Sequence, residues 1–235
     1  MFNKYSPAQP TTYCAILVML ALTVSSNAFA DSDSESDSFK KLSAQWWQWA
    51  LSIPTPENPM LDTTGDKCVV GQNGSTWFLA GVFNGSTAVR NCSVPENKEL
   101  FFPIANSVNI NAPNVCGQGA DNVSAADLRT FSADLINSIT KVSITVNGTP
   151  IEEARRVRSK VFEVAFPENN VFDEPCTGLG GVPAGIFSPA IDDGFYVKLK
   201  NLEAGNHILQ FSAETASGVM QDVTYHLTVV PVLSK

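Results

Sequence analysis

The sequence of 235 residues has few basic side chains and only two histidines, and these shortages restrict what it can bind. There are 15 lysines and arginines against 23 aspartates and glutamates, which gives a formal net charge of −8 at pH 7. Because nucleic acids and anionic membranes are bound through basic surfaces, neither is an expected partner. Strand alternation places His207 and His226 on opposite faces of a predicted hairpin. No metal site and no cofactor is predicted.

Motifs of covalent catalysis are also missing. The sequence has no G-x-S-x-G, and no two cysteines have the C-x-x-C spacing of a zinc site. Asp62-Thr63-Thr64-Gly65 differs from the D-T-G of aspartic proteases by one extra residue and has no second copy. No residue is therefore assigned a catalytic role.

The first 30 residues are typical of a cleaved signal peptide. Lys4 is their only charged residue, an apolar run covers residues 14–24, and Ala28-Phe29-Ala30 fits the small-x-small pattern of signal peptidase. A membrane-spanning helix needs about 20 apolar residues, so the run of 11 favours cleavage after Ala30 over an anchor. The sequence thus predicts a secreted or periplasmic protein with no membrane span.

Four cysteines remain after loss of the signal peptide, and an even number in an oxidising compartment predicts two disulfides. We predict Cys68–Cys92 and Cys116–Cys176, because Cys116 and Cys176 lie in the two longest irregular segments, where a cross-link restricts the unfolded chain most. A plain three-stranded meander would separate Cys68 and Cys92 by about 9.6 Å, beyond the roughly 7 Å that a disulfide allows. In that case Cys68 would pair with Cys116 or Cys176.

The chain after residue 30 divides into a leader and one domain. Residues 31–38 are all acidic or serine, which predicts a disordered leader. Apolar side chains then recur at helical spacing up to Pro54, so a helix is expected at about 39–53. Ser124 and Asp127 form a capping-box pattern that predicts a second helix at about 124–139. The side chains expected on its buried face are Leu128, Phe131, Leu135 and Ile139.

Alternating apolar residues predict β-structure for most of the rest. The segments 194–200, 206–214 and 221–230 alternate strictly, which indicates a three-stranded antiparallel meander. With about eight strands in all, we expect residues 39–235 to form a single mainly-β domain, an immunoglobulin-like antiparallel β-sandwich with the two helices as accessories.

Five residues are candidate ligand contacts because they lie off the packed helical stripe or beside predicted loops: Trp47, Arg156, Arg158, Asp192 and Asp193. The tryptophan either faces a ligand or helps to pack the first helix onto a sheet. The arginines either hold an anion through bidentate contacts or form a solvated strand edge. The aspartates, next to the long loop 167–190, either form a glycosidase-like pair or shape a turn.

Several motifs of the chain occur together in one group of proteins. They are Trp46-x-x-Trp49, C-x-x-G-Q-x-G-x-x-W-F-L-x-G over 68–81, R-x-C-x-V-P over 90–95 and G-F-Y over 194–196. In these motifs the chain resembles an uncharacterised group of secreted bacterial proteins. The resemblance implies export and a single domain and supplies no catalytic residues. Leu202-x-x-Gly205-x-His207 resembles the turn before a late strand of immunoglobulin-like sandwiches.

The leading hypothesis from the sequence is a non-enzymatic exported domain. It would bind a small ligand, a glycan or an envelope protein through polar and aromatic residues on its loops. The alternative is a secreted hydrolase that acts on glycan or peptide through the carboxylates of residues 167–193. A structural component of the cell envelope is a third possibility.

Overall fold

The computed structural model describes residues 27–83, 85, 87–200 and 202–232, which form two helices and ten strands in two sheets. The helices are α1 (Asn27–Leu51) and α2 (Ala125–Asn137), with short 3-10 turns at Thr55–Glu57 and Thr177–Leu179. The strands are β1 (Thr76–Phe78), β2 (Thr87–Pro95), β3 (Glu99–Ile110), β4 (Ile139–Val146), β5 (Thr149–Pro150), β6 (Arg155–Arg158), β7 (Phe162–Phe166), β8 (Gly185–Leu199), β9 (Gly205–Thr215) and β10 (Gly218–Val230). The predicted mainly-β class is confirmed.

Both sheets are mixed rather than purely antiparallel. The first has the order β1-β3-β8-β6, with β7 also paired to β8, and the second has the order β2-β10-β9-β4-β5. β1 runs parallel to β3, and β2 runs parallel to β10. The expectation of a fully antiparallel sandwich is therefore wrong for these two pairs. A parallel partner needs a long crossover, and neither crossover has a local sequence signal.

The predicted meander over 194–230 is divided between the sheets. β9 and β10 do form a hairpin, in which Phe211 pairs with Val223. β8, however, pairs with β3, β6 and β7 in the other sheet. Alternation shows that a strand has a buried face, but it does not identify the strand's neighbours.

Two hydrophobic cores hold the domain together, and β8 contributes to both. Between the sheets, aromatic rings such as Phe102 and Phe211 pack with their centroids 4.9 Å apart. Helix α1 covers the outer face of the first sheet, where Trp46 and Phe101 are fully buried. The second sheet thus covers one face of β8, and helix α1 covers the other.

Helix α1 begins twelve residues earlier than the predicted start at residue 39, at Asn27. The leader 31–38 is helical, contrary to the expected disorder, and it is joined to the first sheet by charge. Glu35 lies 2.9 Å from Arg155, and Asp37 lies 2.9 Å from Lys160. Apolar periodicity cannot detect a helix held by such ion pairs. Residues 1–26 of the predicted signal peptide lie outside the described residues.

Helix α2 confirms the predicted cap but not the predicted buried face. The Ser124 hydroxyl accepts a hydrogen bond from the Asp127 N–H. The buried positions are Leu128, Ser132 and Ile136, whereas Phe131 and Leu135, both expected in the core, are 57% and 42% exposed. The helix is rotated because Ser132 contacts β3, where its hydroxyl accepts a hydrogen bond from Asn109.

Both predicted disulfides are confirmed, with Cα–Cα distances of 5.9 Å for Cys68–Cys92 and 5.2 Å for Cys116–Cys176. Cys68 reaches Cys92 from the turn before β1, so the plain-meander alternative is wrong. Two disulfides indicate an oxidising compartment. Among the described residues, no helix combines the length and the apolar character that crossing a membrane requires.

Candidate functional site

A cleft of about 200 Å³ opens beside β3, at the point where its neighbour β1 has ended. Because β1 stops at Phe78, the stretch Ala105–Val108 of β3 has no strand on that side. Helix α1 contributes Trp46 and Trp47, and Leu135 of α2 closes the other side. Further apolar walls come from loop residues and from the start of β10: Met60, Val82, Phe83, Phe172 and Met220. We call this space the apolar cleft.

Two amide side chains are the main polar groups of the apolar cleft. Gln221, on β10, is buried and accepts a hydrogen bond from the Val82 N–H at 2.9 Å, while its amide N–H₂ donates to the Ile104 carbonyl. Asn106, on β3, uses its Nδ2 to donate to the Tyr196 hydroxyl at 3.1 Å. An apolar cavity with a few fixed polar groups is the usual form of a small-molecule site.

Behind the apolar cleft lies a fully buried carboxyl group, Asp192 of β8. Its Oδ1 accepts hydrogen bonds from Trp47 Nε1–H and from the Tyr196 hydroxyl, each at 2.8 Å. Its Oδ2 has no hydrogen-bond partner among the described residues. Trp47 and Asn106 both line the cleft, so two hydrogen-bonded routes lead from the cleft wall to this carboxyl.

Burial raises the pKa of Asp192 to about 7, although the hydrogen bonds from Trp47 and Tyr196 and the nearby Ser43 hydroxyl act in the opposite direction. The same burial, together with the Asp192 charge, raises the pKa of Tyr196 well above its usual value. Removal from water disfavours a carboxylate that no cation compensates. Asp192 therefore changes its charge near neutral pH.

The adjacent Asp193 points to the opposite face of β8 and has a different environment. Arg156 holds its carboxylate in a bidentate pair, with Nε–Oδ1 at 2.9 Å and Nη2–Oδ2 at 2.8 Å. Arg158 adds a third contact at 3.2 Å, and Asn137 of α2 accepts from Arg156 Nη1. The pairing with Asp193 raises the pKa of Arg156. These arginines thus already hold a carboxylate of their own domain.

The five predicted contact residues are therefore divided between two places. Trp47 and Asp192 lie on the α1 side of β8, and Arg156, Arg158 and Asp193 lie on the other side. One interpretation of the sequence placed Trp47 toward solvent or a ligand. The solvent-facing position is wrong, because Trp47 is only 5% exposed and its N–H points to Asp192. The two aspartates stand in the middle of β8 rather than at a turn.

The close approach of β3 and β8 positions the Asn106 amide at the apolar cleft. A Cβ on Gly194 would lie 2.6 Å from the Cβ of Asn106 and 2.8 Å from the Ala105 carbonyl oxygen. Only glycine leaves room for β3 at this point, where the register shifts between Pro103 and Ala105. Asn106 and Gln221 were not among the predicted contact residues, since neither belongs to a motif. Gly194 after two aspartates was the one local signal, and it suggested a turn.

Within the described ranges, no three His, Cys, Asp or Glu side chains lie close enough to hold a metal ion. His207 pairs with Leu227 and His226 pairs with Ile208, so the two rings lie on opposite faces of the hairpin, as predicted. Comparison with protein-family models, with curated proteins and with solved structures finds no match to this chain. The resemblance to secreted bacterial proteins stays a prediction.

Proposed function

We propose that the chain is an exported, non-enzymatic binding domain that holds a small neutral ligand in the apolar cleft. The observation that carries this proposal is the composition of the cleft wall, in which ten apolar side chains surround the amides of Asn106 and Gln221. Such a wall favours an aromatic or aliphatic body with one or two polar groups. A volume of about 200 Å³ suits a ligand smaller than a typical drug.

The paired-carboxylate hydrolase is the second candidate, and one observation favours it. A pKa of about 7 would let Asp192 act as a general acid or base. Two carboxylates of a glycosidase must flank one bond, however, at about 5 to 9.5 Å. Asp192 and Asp193 point to opposite faces of a central strand, and Asp193 is neutralised by Arg156. The binding function therefore has the stronger support.

Export is the second part of the proposal. The two disulfides agree with the predicted signal peptide, because both imply an oxidising compartment outside the cytoplasm. After expression with its own leader, the exported protein should begin at Asp31 when its N-terminus is sequenced. A product that retains Met1 would contradict cleavage. Fractionation of the cells then separates a periplasmic from a secreted product.

We also infer that the sandwich is immunoglobulin-like. The orders β1-β3-β8-β6 and β2-β10-β9-β4-β5 follow the A-B-E-D and A′-G-F-C-C′ orders of a variable-type domain. At the entrance to β9, His207 Nε2 donates to the Glu203 carbonyl at 2.8 Å, where a tyrosine corner would use its hydroxyl. The chain departs from the type in two respects, since β1 is parallel to β3 and neither disulfide joins β3 to β9.

A fragment screen by two-dimensional NMR tests the binding function. The Trp47 indole N–H is buried and hydrogen-bonded, so its signal should shift when a neutral aromatic or aliphatic fragment enters the cleft. Leu135→Glu places a charge on the cleft wall and should abolish that shift. Phe131→Glu is the matched control, because Phe131 is exposed one turn earlier on α2 and does not line the cleft.

Two outcomes would contradict the binding function. One is a screen in which no fragment shifts the Trp47 signal, or in which both glutamate variants bind equally well. The other is turnover of a glycan or peptide substrate that Asp192→Asn abolishes while the variant remains folded, which would establish the hydrolase instead.

A further inference from the structure

A second cavity, of about 470 Å³, lies between another face of α1 and the turn that precedes β1. Gln45 and Gln48 of α1, with Ser52 directly after the helix, form one wall, and residues 73–76 form the other. The rings of Trp49 and Phe78 line the cavity between these walls. None of its ten lining residues is charged. We call this space the amide groove.

The amide groove presents side chains that are free to bind. Gln45 and Asn73 are exposed, and their side chains make no hydrogen bond to another described residue. Gln48 donates through Nε2 to the Glu163 carbonyl at 3.0 Å, and its Oε1 stays available. An amide offers a donor and an acceptor side by side. Neighbouring hydroxyl groups on a ligand, which also donate and accept, match this arrangement.

The aromatic part of the groove is held in place by its surroundings. Trp49 Nε1–H donates to the Val70 carbonyl at 3.0 Å, and the Trp49 and Phe78 rings have centroids 5.5 Å apart. Gly71, at a φ of +69°, packs so closely that a Cβ there would lie 3.0 Å from the Trp49 ring. Fixed aromatic rings supply an apolar surface for the C–H face of a sugar ring.

The adjacent strand edge argues against an extended peptide as the occupant. A peptide that extends a sheet pairs with free backbone groups of the edge strand. At the Phe78 end of β1 these groups are occupied, because the Gln72 side chain accepts from the Phe78 N–H at 3.0 Å and donates to its carbonyl at 2.7 Å. An ionic ligand would find no opposite charge among the lining residues. A neutral ligand rich in hydroxyl groups fits best.

We propose that the amide groove is a binding site for a neutral saccharide. A sugar ring lies against Phe78 and the edge of Trp49, and its hydroxyls hydrogen-bond to Gln45, Gln48 and Asn73. The amide groove shares no lining residue with the apolar cleft, so each proposal can be tested independently of the other.

Calorimetric titration with maltohexaose, cellohexaose and chitohexaose tests the saccharide site. At least one of these neutral glycans should bind the wild-type protein. The double variant Gln45→Ala, Asn73→Ala should bind it about tenfold more weakly, since two neutral hydrogen bonds are lost. Gln210→Ala is the matched control, because it removes an amide from the outer face of the other sheet and should leave the affinity unchanged.

Either of two results would overturn the saccharide site: no binding of any of the three glycans, or equal binding by the double variant and the wild type. Circular dichroism confirms that each variant is folded, as expected for changes at exposed positions. Leu135→Glu, which alters the apolar cleft, should leave glycan binding intact. Loss of fragment binding with retained glycan binding in this variant is the result expected for two separate sites. A wild-type protein that binds a glycan but none of the fragments would remove the cleft proposal alone.

Discussion

Replacement of Asp192 with asparagine should change how the stability of the domain depends on pH. The Asp192 side chain is 0% exposed, and its Oδ1 accepts hydrogen bonds from Trp47 and Tyr196. Asparagine keeps an acceptor oxygen for both donors and carries no charge at any pH. The substitution thus removes the ionisation with little change of shape.

The magnitude follows from the two pKa values of the carboxyl. Burial raises the pKa of Asp192 to about 7 in the folded protein, against about 3.9 in an unfolded chain. Between these values the folded state keeps the proton and the unfolded state has released it. The stability is therefore complete below about pH 4 and falls as the pH rises to about 7. At about 1.4 kcal/mol for each pH unit, the wild type should lose about 4 kcal/mol.

Urea unfolding of the wild type and of Asp192→Asn at about pH 5 and about pH 8 measures this effect. Relative to the wild type, the variant should gain about 3 kcal/mol of unfolding free energy over that interval. Asp222→Asn, at an exposed position of β10, is the control and should follow the wild type. Parallel behaviour of Asp192→Asn and the wild type would refute the assignment of a near-neutral pKa to Asp192.

Three further changes test the packing. Replacing Cys116 and Cys176 with serine should lower the unfolding free energy in urea by about 4 kcal/mol, because the disulfide closes a separation of 60 residues; an unchanged midpoint would contradict this. Gly194→Ala should lower the unfolding free energy, followed by thermal unfolding, by about 1–3 kcal/mol, since the added Cβ meets Asn106. An unchanged stability would mean that β3 shifts to make room for the Cβ. Arg90→Lys should lower the unfolding free energy by at least about 2 kcal/mol, because Arg90 donates to three backbone carbonyls and the Tyr225 hydroxyl. A variant as stable as the wild type would show that the domain does not depend on these hydrogen bonds.

Strands and helix caps were predictable from the sequence where the pattern that specifies them lies within a few neighbouring residues. The expected strands 206–214 and 221–230 correspond to Gly205–Thr215 and Gly218–Val230, because side-chain alternation depends only on neighbouring residues. The Ser124 cap was found for the same reason. The buried face of α2 was predicted wrongly, since a buried serine that bonds to Asn109 has no apolar signature.

The candidate sites were predictable only in part. The sequence selected Trp47 and Asp192, but the apolar cleft also depends on Asn106 and Gln221, which are 115 residues apart in the chain. Polar side chains of this kind have a function only through what the fold brings near them. No pattern within a short window distinguishes them from ordinary surface amides.

By itself the sequence determined that the chain is mainly β and that four cysteines form two disulfides. It did not place Asp192 and Asp193 within a strand, where adjacent side chains face opposite sides. The tertiary structure alone decided what each side contains. Because α1 covers one face of β8, Asp192 is buried without a cation, and because β6 pairs with the same strand, Asp193 receives Arg156. Alternation is a property of the local backbone, whereas burial on both faces and the supply of a countercharge depend on contacts between distant segments.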